Sequence, residues 1–156
     1  MIRVFTTNTS KYCATVTRSV IIQKVPSIVW EEISNFVGLS GWVEGVQKTE
    51  FLSKTKHGLG AARKISFSDG AQVIEYAVGW ADEKYLSYIA ISGLPLDGYH
   101  ATISILQKGS ASQVSWTSFL ISDSQDKKKF DEFLGFIESF YGSSLKNLKT
   151  KLEKVS

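Results

Sequence analysis

The stretch DKKKFDEFLGFIESFYGSSLKNLKTKLE, residues 126–153, decides the architecture. Its apolar residues Phe130, Leu134, Ile137, Tyr141, Leu145, Leu148 and Leu152 follow one another at intervals of 4, 3, 4, 4, 3 and 4, a continuous stripe along one face of a helix. Phe133, Phe136 and Phe140 widen that stripe over its N-terminal half. A helix of 28 residues is roughly 42 Å long. The chain offers no bundle for it to join, so the stripe must lie along a sheet. Gly135 and Gly142 stand inside it, each at a cost of about 1 kcal/mol relative to alanine. Room for a ligand would explain them, and so would close packing of helix on sheet.

The sheet is legible upstream. Segments 46–53, 60–67, 71–80, 85–91, 99–107 and 113–121 read as strands, separated by His57-Gly58, Asp69-Gly70, Asp82, Gly93 with Pro95, and Lys108-Gly109. Turns this frequent make sequential neighbours antiparallel. Residues 14–23, rich in β-branched side chains, form a further strand ahead of them. Between the first strand and the second, Pro26 opens a helix carrying Trp30, Ile33 and Val37, and Gly38 and Gly41 break it into two short pieces ending near Trp42. The expected fold is therefore α+β: a seven-stranded antiparallel sheet, curled around a long C-terminal helix, with two short helices between strands 1 and 2. Residues 1–156 read as a single domain in which 1–13 are an N-terminal extension.

Composition narrows the functional classes. The net charge of +3 is mild, and the segment from residue 126 holds much of it, with 7 basic and 5 acidic side chains. A nucleic-acid binder concentrates more charge on one face, so no nucleic-acid partner is expected. No apolar run reaches the roughly 18 residues of a membrane-spanning helix, and the polar start lacks a signal sequence. The chain reads as cytoplasmic, without stable membrane insertion; Lys127, Lys128 and Lys129 read as a solvated helix end. Cys13 is the only cysteine and supports no internal disulfide. His57 and His100 are the only histidines, and no metal-ligand spacing or nucleophile elbow occurs, so neither a metal nor another cofactor is expected.

Several strings then take on meaning together. Trp30-x-x-Ile33-x-x-Phe36-x-x-Leu39-x-x-Trp42, Gly58-Leu59-Gly60-Ala61-Ala62-Arg63, the Asp69-Gly70 turn, Gly93-Leu94-Pro95 leading to Tyr99-x-Ala101-Thr102-Ile103, and the tail from Leu145 to Glu153 resemble the polyketide cyclase/dehydrase group. That group lies in the START/SRPBCC superfamily of birch-pollen-allergen-like, helix-grip proteins, and the resemblance covers about residues 14–153. It implies a helix-grip fold with an internal pocket. It leaves open whether the pocket carries a ligand or transforms one.

Strand alternation selects the pocket's polar groups. On segment 60–67 the face with Arg63, Ile65 and Phe67 points inward. A buried guanidinium needs a partner. If Ser68-Asp69-Gly70 is a three-residue loop, Arg63 faces Glu75; if Asp69-Gly70 is a two-residue turn, Arg63 faces Tyr76. The longer loop is preferred because it supplies a carboxylate. Similarity to lachrymatory factor synthases implies that such an Arg holds an anionic or polarised oxygen while the Glu moves a proton; Glu75 as a plain counter-ion is the competing reading. Tyr88 and Tyr99 combine a flat ring with one hydroxyl and fall where the resemblance places pocket tyrosines, although satisfied core tyrosines would look the same. Trp30, Trp42 and Phe140 complete the candidate lining, with Trp30 and Trp42 either at the mouth or docking the short helices. Trp80 and Trp116 read as packing.

The expected function is binding of a small hydrophobic or amphipathic molecule, lipid or polyketide-like, with Arg63 as the polar anchor. The alternative is a cyclase, dehydratase or isomerase using Glu75 as acid/base and Arg63 to stabilise an oxyanion. A protein-interaction role with a vestigial cavity is the third. Oligomeric state is not legible in the sequence.

Overall fold

The computed structural model describes residues 1–6 and 11–154. It contains eight strands, two α-helices and one 3₁₀ turn in the order β1 (Ile2–Thr6), β2 (Tyr12–Ile22), α1 (Pro26–Ile33), the 3₁₀ turn (Leu39–Gly41), β3 (Val46–Phe51), β4 (Ala62–Phe67), β5 (Gln72–Ala81), β6 (Tyr85–Ser92), β7 (Leu96–Lys108), β8 (Ala111–Ser122) and α2 (Lys127–Glu153). The strands form one sheet in the order β1-β2-β8-β7-β6-β5-β4-β3, antiparallel throughout.

Two details correct the sequence reading. The sheet has eight strands, not seven, because Ile2–Thr6 pairs with β2 in the register Ile2↔Val16 to Thr6↔Tyr12. Tyr12 and Cys13, assigned to the extension, already belong to β2; residues 7–10 of that extension lie outside the described residues. A short segment with Ile2 and Val4 finds an open edge to add to, which alternation over so few residues does not announce. The second short helix is only a 3₁₀ turn, and α1 stops at Ile33, so Phe36 and Val37 lie in the connection between them.

α2 carries its stripe as expected: Phe130, Leu134, Ile137, Tyr141, Leu145 and Leu148 are all buried. Asp126 caps its N-terminus by accepting from the Lys129 N–H at 3.1 Å. Lys127, Lys128 and Lys129 pair with Asp131, Glu132 and Asp126 respectively. The helix runs along β2, with inward residues Ala14, Val16, Val114 and Leu120 beneath it, all fully buried. Its C-terminal half is tied down by polar bonds. Lys151 bridges to Glu32 of α1 at 2.5 Å, Glu153 accepts from the Gln23 N–H at 2.7 Å, and Ser144 accepts from the Glu44 N–H at 2.9 Å. No helix among the described residues is long and apolar enough to cross a membrane.

Candidate functional site

The β4–β5 turn sets the site's register. Gly70 adopts φ +91, a conformation that costs glycine nothing, and its N–H donates to the Phe67 carbonyl at 3.0 Å. The Phe67 N–H in turn donates to the Ala71 carbonyl at 2.9 Å, and Asp69 Oδ1 accepts from the Ala71 N–H at 2.9 Å. This is the three-residue loop. It pairs Ile65 with Val73 and Arg63 with Glu75.

The pair is buried, with side chains only 3% and 8% exposed. Nε–H of Arg63 donates to Oε2 of Glu75 at 2.8 Å, and Nη2 lies 2.6 Å from the same oxygen. Nη1–H donates to the Phe36 carbonyl at 2.9 Å. The guanidinium also rests against two rings, its central carbon 4.0 Å from the centre of Phe36 and 5.1 Å from that of Tyr88. Arg63 is thus neutralised by Glu75 and packed against both rings. Burial pushes the Glu75 carboxyl above the usual carboxylate range; Arg63 opposes that shift without cancelling it.

Next to the ion pair runs a line of hydroxyls. Trp116 Nε1–H donates to the Tyr88 hydroxyl at 2.9 Å, the Tyr88 and Tyr99 hydroxyls are 3.4 Å apart, and Tyr99 is hydrogen-bonded to Tyr141. Burial, above all, raises the pKa of all three phenols, so each keeps its proton at neutral pH. Trp116 stacks on Tyr141 with ring centres 4.2 Å apart and planes 14° from parallel.

Arg63, Glu75, Tyr88, Tyr99 and Trp116 border a cavity of about 340 Å³ between the sheet and the N-terminal half of α2. Of the residues selected from sequence, Arg63, Glu75, Ile65, Phe67, Tyr88, Tyr99, Trp42 and Phe140 all border it. Trp30 does not. It is buried edge-on against Trp80, with ring centres 5.6 Å apart, and docks α1 onto the sheet. Of the two roles open to these tryptophans, Trp30 takes the docking one and Trp42 borders the cavity; α1 ends between them, so they face different neighbours.

Further residues line the cavity that the sequence does not single out. Trp116 borders it as well as packing on Tyr141. The signal was available in β8, where Val114, Trp116, Ser118 and Leu120 alternate inward. Phe133 and Phe136, read as part of the core stripe, also border it, and Phe136 is 60% exposed. Leu94 and Pro95 of the β6–β7 turn close the lining on the opposite side. One donor in the wall is unsatisfied: the buried indole N–H of Trp42 has no partner among the described residues.

The glycines of α2 answer the question posed by the sequence. A Cβ at Gly142 would press on the Arg18 guanidinium at 2.7 Å, so Gly142 lets Arg18 cross the helix. A Cβ at Gly135 would meet nothing within 4 Å. Neither glycine borders the cavity. His57 lies at the surface, 3.7 Å from Asp82 and against the Trp80 ring, and His100 is exposed on the outer face opposite Tyr99. Among the described residues, no three His, Cys, Asp or Glu side chains converge as metal ligands.

Comparison with known proteins places this geometry. Residues 14–153 match the family described as polyketide cyclase/dehydrase and lipid transport. The fold is similar to that of XoxI from Bacillus cereus, at 22% identity, covering 88% of this chain and 94% of that one with a TM-score of 0.75. A protein from Thermobifida fusca is similar at 19% identity, with 91% and 95% covered and a TM-score of 0.76. The Zhui aromatase/cyclase from Streptomyces sp. R1128 is similar at 12% identity, with 91% and 94% covered and a TM-score of 0.77. No curated protein matches the sequence. At these identities the structural likeness establishes the helix-grip fold.

Proposed function

The chain belongs to the polyketide cyclase/dehydrase and lipid transport family of the START/SRPBCC superfamily, and from that premise we propose that it binds a small, largely apolar, uncharged molecule in the cavity bordered by Arg63 and Glu75. The observation that carries this reading is the cavity's chemistry. About 340 Å³ is bounded by Trp42, Phe67, Tyr88, Tyr99, Trp116, Phe133, Phe136 and Phe140, while its one buried cation is already matched by its one buried anion. Aromatic walls favour a flat or conjugated apolar body. An anionic ligand would have to displace Glu75 from Arg63 and leave a second buried charge, so a neutral ligand is favoured.

Arg63 retains N–H groups beyond the three that Glu75 and Phe36 engage, since a guanidinium has five. These, the Tyr88 and Tyr99 hydroxyls and the unsatisfied Trp42 N–H offer a carbonyl or hydroxyl of the ligand its polar contacts. Arg63 is in this reading a neutralised anchor.

A second reading has one observation in its favour. Oε1 of Glu75 accepts no hydrogen bond from the described residues, and burial raises the affinity of this carboxyl for a proton. Such a group suits proton transfer. In a β-hydroxy carbonyl substrate, Glu75 would take the proton from the carbon between the two oxygen-bearing carbons, and Arg63 would hold the resulting enolate oxygen. The electron pair would then form the C=C bond as the hydroxyl left, protonated by Glu75, as water.

Native mass spectrometry of freshly purified protein tests the first reading: an extra mass released on denaturation is expected, and its absence together with failure to bind any apolar probe would end it. Glu75→Gln separates the two. Binding without turnover is expected to survive the substitution, whereas dehydration would lose most of its kcat.

A further inference from the structure

β6 and β7 part company before they reach their turn. They are paired from Tyr85↔Ser104 to Ile89↔His100 and no further. Beyond that point the end of β6 stays with β5, through Glu75↔Ala90 and Ile74↔Ser92. The start of β7 stays with β8, through Leu96↔Ser122 and Gly98↔Ile121. The two strand ends therefore face each other unbonded, joined only at the Gly93-Leu94-Pro95 turn, and leave an eyelet in the sheet.

The eyelet is a second cavity, of about 310 Å³, bordered by Ala90, Ile91, Ser92, Leu96 and Asp97 together with Leu94 and Tyr99. Leu94 and Tyr99 also border the main cavity, so the two spaces adjoin at these residues. The two spaces differ in chemistry. Eight aromatic residues bound the main one. The eyelet is rimmed by the peptide edges of two strands that have lost their pairing partners, and backbone N–H and C=O groups left this way require hydrogen bonds from elsewhere.

We propose that the eyelet is a binding subsite for an uncharged, hydrogen-bonding chain, an ether, hydroxyl or amide, that extends from the apolar body held in the main cavity and reaches solvent between β6 and β7. This rests on the reading of the main cavity as a ligand site and adds what the other end of that ligand is. The charge at the rim argues for neutrality. Asp97 is the one ionisable lining group apart from Tyr99, and it is already paired with Lys11, which also donates to the Asp123 carbonyl at 3.1 Å. An anionic chain would meet the Asp97 carboxylate, and a cationic chain would compete with Lys11. Peptide edges serve a neutral chain with both donors and acceptors.

Three probes test this by isothermal titration calorimetry: 2-naphthol, its diethylene glycol ether, and 2-naphthyloxyacetate. The glycol ether is expected to bind the wild type at least as tightly as 2-naphthol, and the anionic acetate more weakly than either. Ala90→Phe, which fills the eyelet from its inner side, is expected to weaken the glycol ether about tenfold while changing 2-naphthol less than about twofold. Ser92→Trp, at an exposed position of the rim, serves if Ala90→Phe does not fold. In parallel, amide NMR shifts at Ile91, Ser92, Leu96 and Asp97 are expected to move with the glycol ether and to stay in place with 2-naphthol. Equal losses for both probes, or no rim shifts with the ether, would overturn the subsite while leaving the main cavity standing. Failure of 2-naphthol to bind the wild type would instead remove the reading of the cavity itself, and the subsite with it.

Discussion

The groove between the sheet and α2 is filled at one end and empty at the other, although a single helix spans both. At the filled end, Ser144, Leu145 and Leu148 press onto the sheet with almost no exposure, and Lys151, Glu153 and Ser144 fasten the helix to α1 and its flanking segments. At the empty end, Phe133, Phe136 and Phe140 project over about 340 Å³ of space, and the polar groups below them bond mostly to one another, with Tyr99 to Tyr141 as their link to the helix. The difference teaches where each half of α2 spends its apolar surface. The filled end supplies stability and fixes the helix axis. The empty end can then leave aromatic surface unsatisfied, because the helix does not depend on it for its position.

The strongest test attacks the floor of the empty end. Arg63→Met leaves the Glu75 carboxylate buried without its partner and should cost about 3–5 kcal/mol of unfolding free energy, read from urea denaturation. The double variant Arg63→Met/Glu75→Leu should recover most of that loss, because a well-packed apolar pair replaces a buried ion pair at little cost. If both variants lose the same amount, the pair is not the electrostatic unit described, and the empty end is held by something else.

The next test contrasts the two halves of the helix directly. Leu148→Ala removes a fully buried side chain at the filled end and should cost about 2–5 kcal/mol. Phe136→Ala removes a larger side chain that is 60% exposed, and should cost under about 1 kcal/mol while weakening an apolar probe such as 2-naphthol severalfold. Similar losses of stability from both would break the comparison.

What the sequence could reveal follows the same division. The stripe from Phe130 to Leu148 was legible because periodicity reports burial against a continuous surface, and the filled end is such a surface. Arg63 opposite Glu75 was the preferred of two registers, because only that one gives the buried guanidinium a carboxylate. Trp116 and Phe136 were misread for one reason: a residue facing a cavity and a residue facing the core occupy the same face of their element. Only the positions of the opposite walls tell them apart, and those are set by the whole chain. Trp30 could equally line the mouth or dock its helix as far as spacing goes; α1 ends at Ile33, and Trp30 docks it against Trp80. The eyelet showed only as a connection, residues 92–98 with Gly93 and Pro95; that both strands continue past their last mutual pair and leave a space there depends on how β5 and β8 hold them.

The pH dependence of stability sharpens the picture of the floor. Burial raises the Glu75 carboxyl above its ordinary value of 4.5 in the folded chain. Below that value folded and unfolded chains both hold the proton. As pH rises the unfolded chain releases it first, so the contribution of Glu75 to stability is lost as pH climbs through the folded-state pKa. Urea midpoints of wild type relative to Glu75→Gln should therefore fall as pH rises above 4.5. Glu50 and Glu153, whose carboxyls neighbouring groups lower, titrate in both proteins and cancel in the difference. A rising difference would mean that Arg63 outweighs burial.

The smallest expected effect asks whether the empty end needs a pliant helix. Gly135 lies on the half of α2 that carries Phe133 and Phe136, yet a Cβ there would touch nothing within 4 Å. Gly135→Ala should therefore add up to about 1 kcal/mol of stability through helix propensity alone. No contact with the cavity changes, so probe affinity should stay the same. The informative quantity is the rate at which bound 2-naphthol exchanges, measured by NMR line shape. If the half-helix must flex to release a ligand past its phenylalanines, stiffening it slows association and dissociation together and leaves their ratio untouched. Unchanged rates would mean that the opening beside Phe136 is wide enough as it stands, and that this glycine's cost is borne without a return in function.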